Sequence, residues 1–521
     1  MNGPIPEVQL EGGPATGSSS LVTESTPVES ATMINSNGDT LVPNRPIPTL
    51  NKAIMPQIAT SAKDEFLKVL CTDQPLWVKS STDPTFSLQR DHYEMLFPRS
   101  TDLFPNSNSL AEASKASRTV KRKAMELVDL FLDTEKWSNL FPTIVREADT
   151  IQVIAKGSEE NRSGTLLLMH AEMHVLSPLV QSREFCFLRY CEELEAGTWV
   201  IVDVSIDYKK EGMAFPPCTW RLPSGCMIQE ISNGSSQVSW LEHVEVDAKI
   251  KAHQLYRDLV NRGIAFGAER WLMELERMCE RFTSAEIDYI PTNDTGAVVA
   301  ATGGRRSMMK LSHKVVKSFF GILNMSNKME FPQHLADENS NIRISVRKNA
   351  DPSRPNAMMI ITAATSFRLP LPPQTLFDFF RDTTKRSKAI NLNKPLGCSF
   401  LCKSRAGACT YLHWNSSKPL YINHSVNVAD LQKSVNGIDS PTVPVIPSGV
   451  LISKDEESIA NEGTNADKGI TRGSLLTLAF QILMDNPATM NLESVTSVNS
   501  LIASVVGSIK VALLNGPNLE V

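Results

Sequence analysis

Residues 164–180 read GTLLLMHAEMHVLSPLV, residues 183–191 read REFCFLRYC and residues 198–208 read TWVIVDVSIDY. After a Pro/Gly break follow WRLPSGCMIQEIS at 220–232 and QVSWLEHVEVD at 237–247. A helical stretch then closes on ERWLMELERMCERF at 269–282. Five strand-like runs are thus followed by one amphipathic helix. Short strands separated by turn residues pair in antiparallel fashion, and a long helix after the last of them packs on their sheet. The expected fold class is α+β: a curved antiparallel sheet closed by its C-terminal helix, with a lipid-sized pocket between the two.

The strands alternate informatively. Phe185, Phe187 and Arg189 share one face, against Glu184, Cys186, Leu188 and Tyr190. Val200, Val202, Val204 and Ile206 oppose Ile201, Asp203 and Ser205. Both faces are largely apolar, which fits either two-sided burial or an inner face lining a cavity. The closing helix is expected over His253–Phe282. Ile264, Ala268, Trp271, Leu275, Met278 and Phe282 form one stripe at steps of four and three. Core packing is the ordinary role of such a stripe, and ligand contact the alternative. Gly263 and Gly267 each cost ~1 kcal/mol against Ala and soften the helix where a lid would yield.

Around this centre the chain has 521 residues, enough for two or three domains. Hydrophobic residues make up 41% and charged residues 21%, as in ordinary soluble proteins. A net charge of −5 provides no global basic field for nucleic acid. No membrane span and no secretory signal is expected. Residues 1–57 lack Phe, Trp and Tyr and are expected to be disordered. A lipid-binding domain is expected over 58–284, a linker over 285–306 and a second α+β domain over 307–521. KDEFLKVLCTDQPLWVKS at 63–80 reads as a helix leading into a strand. Asn108–Leu140 reads as a helical region, with Val120, Ala124, Leu127, Leu130 and Phe131 at helical spacing and Pro142 ending it. The sheet is expected to begin at Thr150–Ala155. In the second domain Ser453–Gly473 reads as a loop and Glu493–Leu514 as a closing helix.

A short internal repeat links the two domains. FLDTEKWS at 131–138 aligns with FRDTTKRS at 380–387, each near the end of a helix. The second domain is therefore expected to be a similar, degenerate helix-and-sheet unit, with Arg386 replacing Trp137 and altering its core.

The stretches 168–207, 221–247 and 253–280 closely resemble the START domain of plant class IV homeodomain–leucine-zipper transcription factors. GGRRSMMKLSHKV at 303–315, AATSFRLPLPPQTLFDFFRD at 363–382, IPSGVLIS at 446–453 and GSLLTLAFQILMD at 473–485 resemble the START-adjacent region of the same proteins. The likeness spans roughly Ala59–Leu514. It implies a helix-grip fold, a sterol, phospholipid or sphingolipid-like ligand, and a regulatory role in transcription, in the nucleus or alternatively the cytoplasm. Relatives of this kind carry a homeodomain and zipper before START. The first 57 residues here contain neither, so direct sequence-specific DNA binding is not expected. A second departure is Arg386-Ser-Lys-Ala389, where the family usually has Arg-x-Glu-Trp-Asp.

Some lipid-binding START domains place an acid and an arginine on neighbouring strands inside the cavity. Arg189 shares its face with Phe185 and Phe187 and needs a partner, because a lone buried charge costs several kcal/mol. Glu172 on the preceding strand is one candidate and Asp203 on the following strand its rival. The pair would hold a lipid hydroxyl or headgroup; a surface salt bridge is the alternative. Apolar pocket candidates are Leu166, Leu168, Phe187, Val202, Val204, Met227, Trp240, Trp271 and Leu275, some of which parity will turn outward.

No GxSxG elbow, phosphate loop or dinucleotide fingerprint appears, so catalysis and a cofactor are not expected. His170, Glu172 and His174 point one way along a strand without forming an HExxH box, and no metal is expected there. The nine cysteines are odd in number and mostly flanked by apolar residues, which favours free thiols in a reducing compartment. Cys398, Cys402 and Cys409 lack a second ligand pair for zinc. Lys121-Arg122-Lys123 and Arg305-Arg306 read as solvated helix ends or as import signals. The first functional expectation is a non-enzymatic lipid-binding regulator whose protein partners are related transcription factors. The others are a ligand-free interaction protein competing with full-length relatives, and a DNA-binding factor whose upstream part is absent from this sequence.

Overall fold

Small and β-branched residues, an Asn-Gly turn and Pro/Gly breaks divide the first domain into short antiparallel strands. The chain order is α1 (Met55–Cys71), β1 (Trp77–Lys79), β2 (Phe86–Leu88), α2 (Arg90–Leu96), β3 (Ser109–Val120), α3 (Ala124–Leu132) and α4 (Thr134–Leu140). Then come β4 (Val145–Lys156), β5 (Thr165–Met173), β6 (Arg183–Glu195), β7 (Thr198–Ser205), β8 (Thr219–Arg221), β9 (Ser224–Ile231), β10 (Ser235–Asp247), α5 (Arg257–Asn261) and α6 (Ala268–Glu286). The second domain holds α7 (Thr302–Leu323), β11 (Ile342–Lys348), β12 (Met359–Leu369), α8 (Pro373–Arg381), β13 (Ala406–His413), β14 (Leu420–Asn427), β15 (Pro447–Lys454), β16 (Ser474–Met484) and α9 (Leu492–Leu514).

The computed structural model describes residues 52–79, 86–98, 109–208, 218–250, 252–286, 302–323, 341–348, 359–382, 384–385, 406–413, 420–427, 436, 447–454, 473–484 and 492–514. At 282–286, 302–303, 305, 347–348, 406–413, 420–427, 454, 483–484 and 492–495 it describes the backbone alone. Of the disorder expected over 1–57, residues 1–51 lie outside the described residues, as do most of the 285–306 linker, the expected loop within 455–472 and the side chains of Cys398, Cys402, Cys409 and Arg386.

The first sheet has eight strands in the order β3-β10-β9-β7-β6-β5-β4, with β8 also on β10, and every pairing is antiparallel. One face carries α1, whose Met55, Ala59, Ala62, Phe66 and Val69 recur at steps of four and three. The other face carries α3, α4 and α6 over the largest apolar cluster. Arg118 of β3 ties α6 to the sheet through Glu269 and Glu276. Gly225 in β9 has φ +140°, and a Cβ there would sit 2.0 Å from the Ile201 carbonyl oxygen of β7. Gly225→Ala should therefore destabilise the domain by more than about 2 kcal/mol, a loss that thermal unfolding would register.

Several elements differ from expectation. The first helix, α1, begins at Met55, within the stretch expected to be disordered, because its apolar stripe packs on the sheet. The sheet begins with β3, and its β4 starts at Val145 rather than Thr150. Ser109–Val120 is an edge strand rather than the start of a helix. Its Ala/Ser-rich composition allows either state, and a twelve-residue antiparallel pairing with β10 decides for the strand. The closing helix starts at Ala268 rather than His253. A 3-10 turn at Gln254–Tyr256, the short α5 and a break precede it, with Gly263 at φ +68°. At Gly267 a Cβ would meet the Gly263 carbonyl at 2.3 Å. The two glycines end one helix and begin another instead of softening a single one.

The second sheet, in the order β11-β12-β16-β15-β14-β13, is wound like the first. In each, the strand before the inserted helix pairs with the last strand (β3 with β10, β12 with β16), and a long helix follows. The described part of the repeated octapeptide in the second domain, 380–382 and 384–385, occupies the same place as its counterpart in the first. Phe131 and Phe380 are buried at the ends of α3 and α8. Asp133 accepts the amide of Lys136 at 3.0 Å, and Asp382 accepts those of Thr384 and Lys385 at 2.9 and 3.1 Å. Thr496–Leu514 of α9 is long and apolar enough to cross a membrane by length and composition alone. In the fold its Val498, Ile502, Val505, Ile509 and Leu513 pack on the second sheet.

Candidate functional site

The inner layer of the first domain, between the sheet and α6, combines aromatic rings with buried charge. Trp271 of α6 stacks between Trp240 of β10 (centroids 4.8 Å apart, planes 14°) and Trp137 of α4 (6.0 Å, 10°). Phe141 meets Trp271 edge-on at 4.8 Å, and Phe131 meets Trp240 at 6.0 Å. Leu275 and Phe187 lie in the same cluster. The middle of the layer is thus occupied by protein side chains.

Arg189 points into this layer and pairs with Asp203. Its Nε and Nη2 donate to the two carboxylate oxygens at 2.7 and 2.8 Å, and Nη1 donates to the Phe131 carbonyl at 2.8 Å. The guanidinium also lies 4.0 Å over the Trp137 ring. Glu172 is not its partner. Cross-strand register places Arg189 opposite Leu167 and Asp203, whereas Glu172 lies on the other face and binds Arg146 at 2.6 Å. Burial pushes the Glu172 carboxyl up, but Ser182 and Arg146 outweigh it and hold its pKa below the usual value.

Sequence reasoning missed Arg221 on β8. It is fully buried, Nη2 binds Glu242, and Glu242 also accepts the Trp240 indole N–H at 3.0 Å. Nη1 faces only the Met173 sulfur at 3.4 Å, and Nε finds no hydrogen-bond acceptor, Asp203 Oδ2 being 3.9 Å away. The only available sign was a charged residue beside apolar Trp220 and Leu222.

The apolar candidates divide between two faces. Phe187, Trp240, Trp271 and Leu275 belong to the α6 side. Leu166 and Leu168 pack with Met55 and Ala59 of α1, Val202 and Met227 join Phe66 and Val69, and Val204 lies between these two groups. Two-sided apolar strands hide their parity, and the position of α1 settles it.

The three residues of the His170–Glu172–His174 run do not stay together. His170 and Glu172 point away from α6. His174, just past β5, is 1% exposed with Nε2 3.3 Å from the Pro142 carbonyl oxygen and no partner for Nδ1. Among the described residues no group of three His, Cys, Asp or Glu side chains is arranged to hold a metal. Burial, helped by the Arg270 charge, pushes the His174 pKa down to about 3 from 6.5. Between those pH values the unfolded chain binds a proton that the native state refuses, so stability falls as pH drops through 6.5 toward 3. The slope is up to about 1.4 kcal/mol per pH unit. Urea unfolding at several pH values should show His174→Asn losing this component, while that of His313, whose pKa burial lowers to about 4, persists.

An antiparallel sheet closed by its last helix is the architecture of a START-type domain, and residues 57–281 match the START domain family. Residues 301–392 and 413–515 match the PDF2-like C-terminal domain. Homeobox-leucine zipper protein HDG11 of Arabidopsis thaliana is 36% identical over 503 residues, covering 91% of this chain and 69% of the relative. HDG12 of Arabidopsis thaliana is 36% identical over 498 residues, covering 90% and 70%. ROC8 of Oryza sativa subsp. japonica is 33% identical over 516 residues, covering 90% and 71%. The chain belongs to the class IV homeodomain–leucine-zipper family. Among solved structures, human StAR-related lipid transfer protein 5 matches at 11% identity and TM-score 0.29, over 45% of this chain and all of that one. Human STARD10 matches at 14% and 0.31, over 44% and 80%.

Proposed function

We propose that the protein binds one neutral-headed lipid, such as a sterol, on the inner face of its START domain, and that occupancy tunes a role in transcription regulation in the nucleus. Arg221 carries this reading. A guanidinium withdrawn from water is costly unless its donors are met. Here Nε has no acceptor and Nη1 has only a thioether. A ligand hydroxyl or carbonyl oxygen beside Met173 would meet both. Arg189, Asp203, Arg221 and Glu242 sum to zero charge, which favours a neutral acceptor over phosphate or ammonium. The hydrocarbon part would lie along Phe187, Trp271 and Leu275, with the Trp240 ring moving aside to admit it. Burying ~500 Å² of it would contribute on the order of 12 kcal/mol, of which association takes back a large part. The names of the relatives support the regulatory setting, and related transcription factors are the fitting protein partners. The net charge of −5 gives direct DNA contact no support.

The aromatic stack favours a second reading, in which the START fold stays empty and works as an interaction module. Native mass spectrometry of the full chain after exposure to sterol-containing vesicles separates the two. A bound adduct of a few hundred daltons is expected, lost in Arg221→Met/Glu242→Gln; a bare mass would establish the empty module.

A further inference from the structure

The START loop between β5 and β6 is buried although it is a connection. Val175, Leu176, Ser177, Leu179 and Val180 are all 8% exposed or less. Connections ordinarily run over the surface; here Val175, Leu179 and Val180 pack into the START inner layer, and the second domain covers Leu176 and Ser177. Ser177 Oγ lies 3.2 Å from Ser366 Oγ of β12, which lies 2.9 Å from Thr477 Oγ1 of β16. The Tyr256 hydroxyl, from the turn before α6, donates to Ser366 at 3.0 Å and lies 3.1 Å from Thr477. These four hydroxyls form one buried cluster across the domain boundary. Around it, Leu176 packs with Phe319 and Phe320 of α7, and Leu475 of β16 joins the apolar cluster of the START inner layer. Lys317 of α7 donates to Asn139 at the end of α4 at 2.6 Å.

The segments held in this way frame one end of the inner layer. Arg270, in the first turn of α6, knots them from inside by donating to the carbonyls of Thr143, His174 and Ala265. A molecule reaching Arg189 or Arg221 from this end must part the β5–β6 loop from the turn before α6. Both are bound to Ser366 of the second sheet, and the turn is bound to Thr477 as well. Parting the two surfaces breaks all of these hydrogen bonds together, and a hydroxyl left buried without its partner is costly.

We propose that the PDF2-like domain is the latch of the START inner layer. Its Ser366 and Thr477 hold the β5–β6 loop and the turn before α6 shut, and their release opens the path for lipid. The path's cargo rests on the lipid-binding reading above, but the latch itself does not. Hydrogen–deuterium exchange of the full chain tests it, with Ser366→Ala/Thr477→Val as the variant. The expected result is at least tenfold faster exchange at 174–181 and 252–267, with β6, β7 and β9 still protected. Uptake of dehydroergosterol from phosphatidylcholine vesicles should rise by a similar factor. Unchanged exchange in those two segments overturns the latch, and so does an equal rise across the whole START sheet. Faster local exchange with no sterol taken up by either protein upholds the latch and rejects the sterol. Should the double variant not fold, Tyr256→Phe removes a single hydroxyl and is judged by the same comparison.

Discussion

Arg189→Leu should lower the stability of the protein by about 3–5 kcal/mol, because it leaves the Asp203 carboxyl buried without its bidentate partner. Both side chains are 3% exposed or less by residue, and the pair is bidentate. The Phe131 carbonyl would lose its donor as well. Asp203→Asn should be destabilising too, whereas Arg189→Leu/Asp203→Leu should recover most of the loss, since an apolar pair needs no compensation. Urea unfolding of the full chain measures all three. A loss under about 1 kcal/mol for Arg189→Leu would mean that water reaches the pair and that it behaves like an exposed ion pair.

Trp271→Ala should cost a further large amount, about 3–5 kcal/mol. The ring is 1% exposed and touches aromatic side chains from α4, the α4–β4 turn and β10. Its removal takes away burial and two stacking contacts at once, and the surrounding sheet is hydrogen-bonded on both sides and collapses poorly into the space. Near-UV circular dichroism should lose its tryptophan signal together with the stability. Met273→Ala, two residues on and 38% exposed, should cost under about 0.5 kcal/mol. A similar small value for Trp271→Ala would show that the stack is not the centre of the domain.

Much of the fold was legible along the chain. The runs from Thr165 to Asp247 announce strands through β-branched and aromatic residues bounded by turn signals, and Trp271, Leu275 and Met278 announce the last helix by their period. These are local properties, carried by backbone preference and side-chain shape within a few residues. The octapeptide at 131–138 and 380–387 was legible for the same reason: an aspartate capping the next turn is a local device. Ser109–Val120 misled because alanine and serine tolerate both states, and only a partner strand selects between them.

The candidate site was legible in kind but not in pairing. Arg189 stands out because a charge among phenylalanines must have a partner, yet sequence leaves Glu172 and Asp203 equally near. Register decides, placing Asp203 directly across from Arg189 and turning Glu172 to the α1 side. Arg221 became visible only when β8 folded under α6.

What the amino-acid order alone established is therefore the class of unit, a strand-rich domain closed by a helix and followed by a relative of itself, together with the need for a buried arginine to be answered. What only the tertiary structure decided is which face is inner, which acid answers which arginine, and that Leu475 and two hydroxyls of the second domain complete the first. The reason is one of range. Periodicity and capping act within a turn or two, whereas facing, ion pairing and domain contact join residues such as Ser177 and Ser366 that meet only once both sheets have formed.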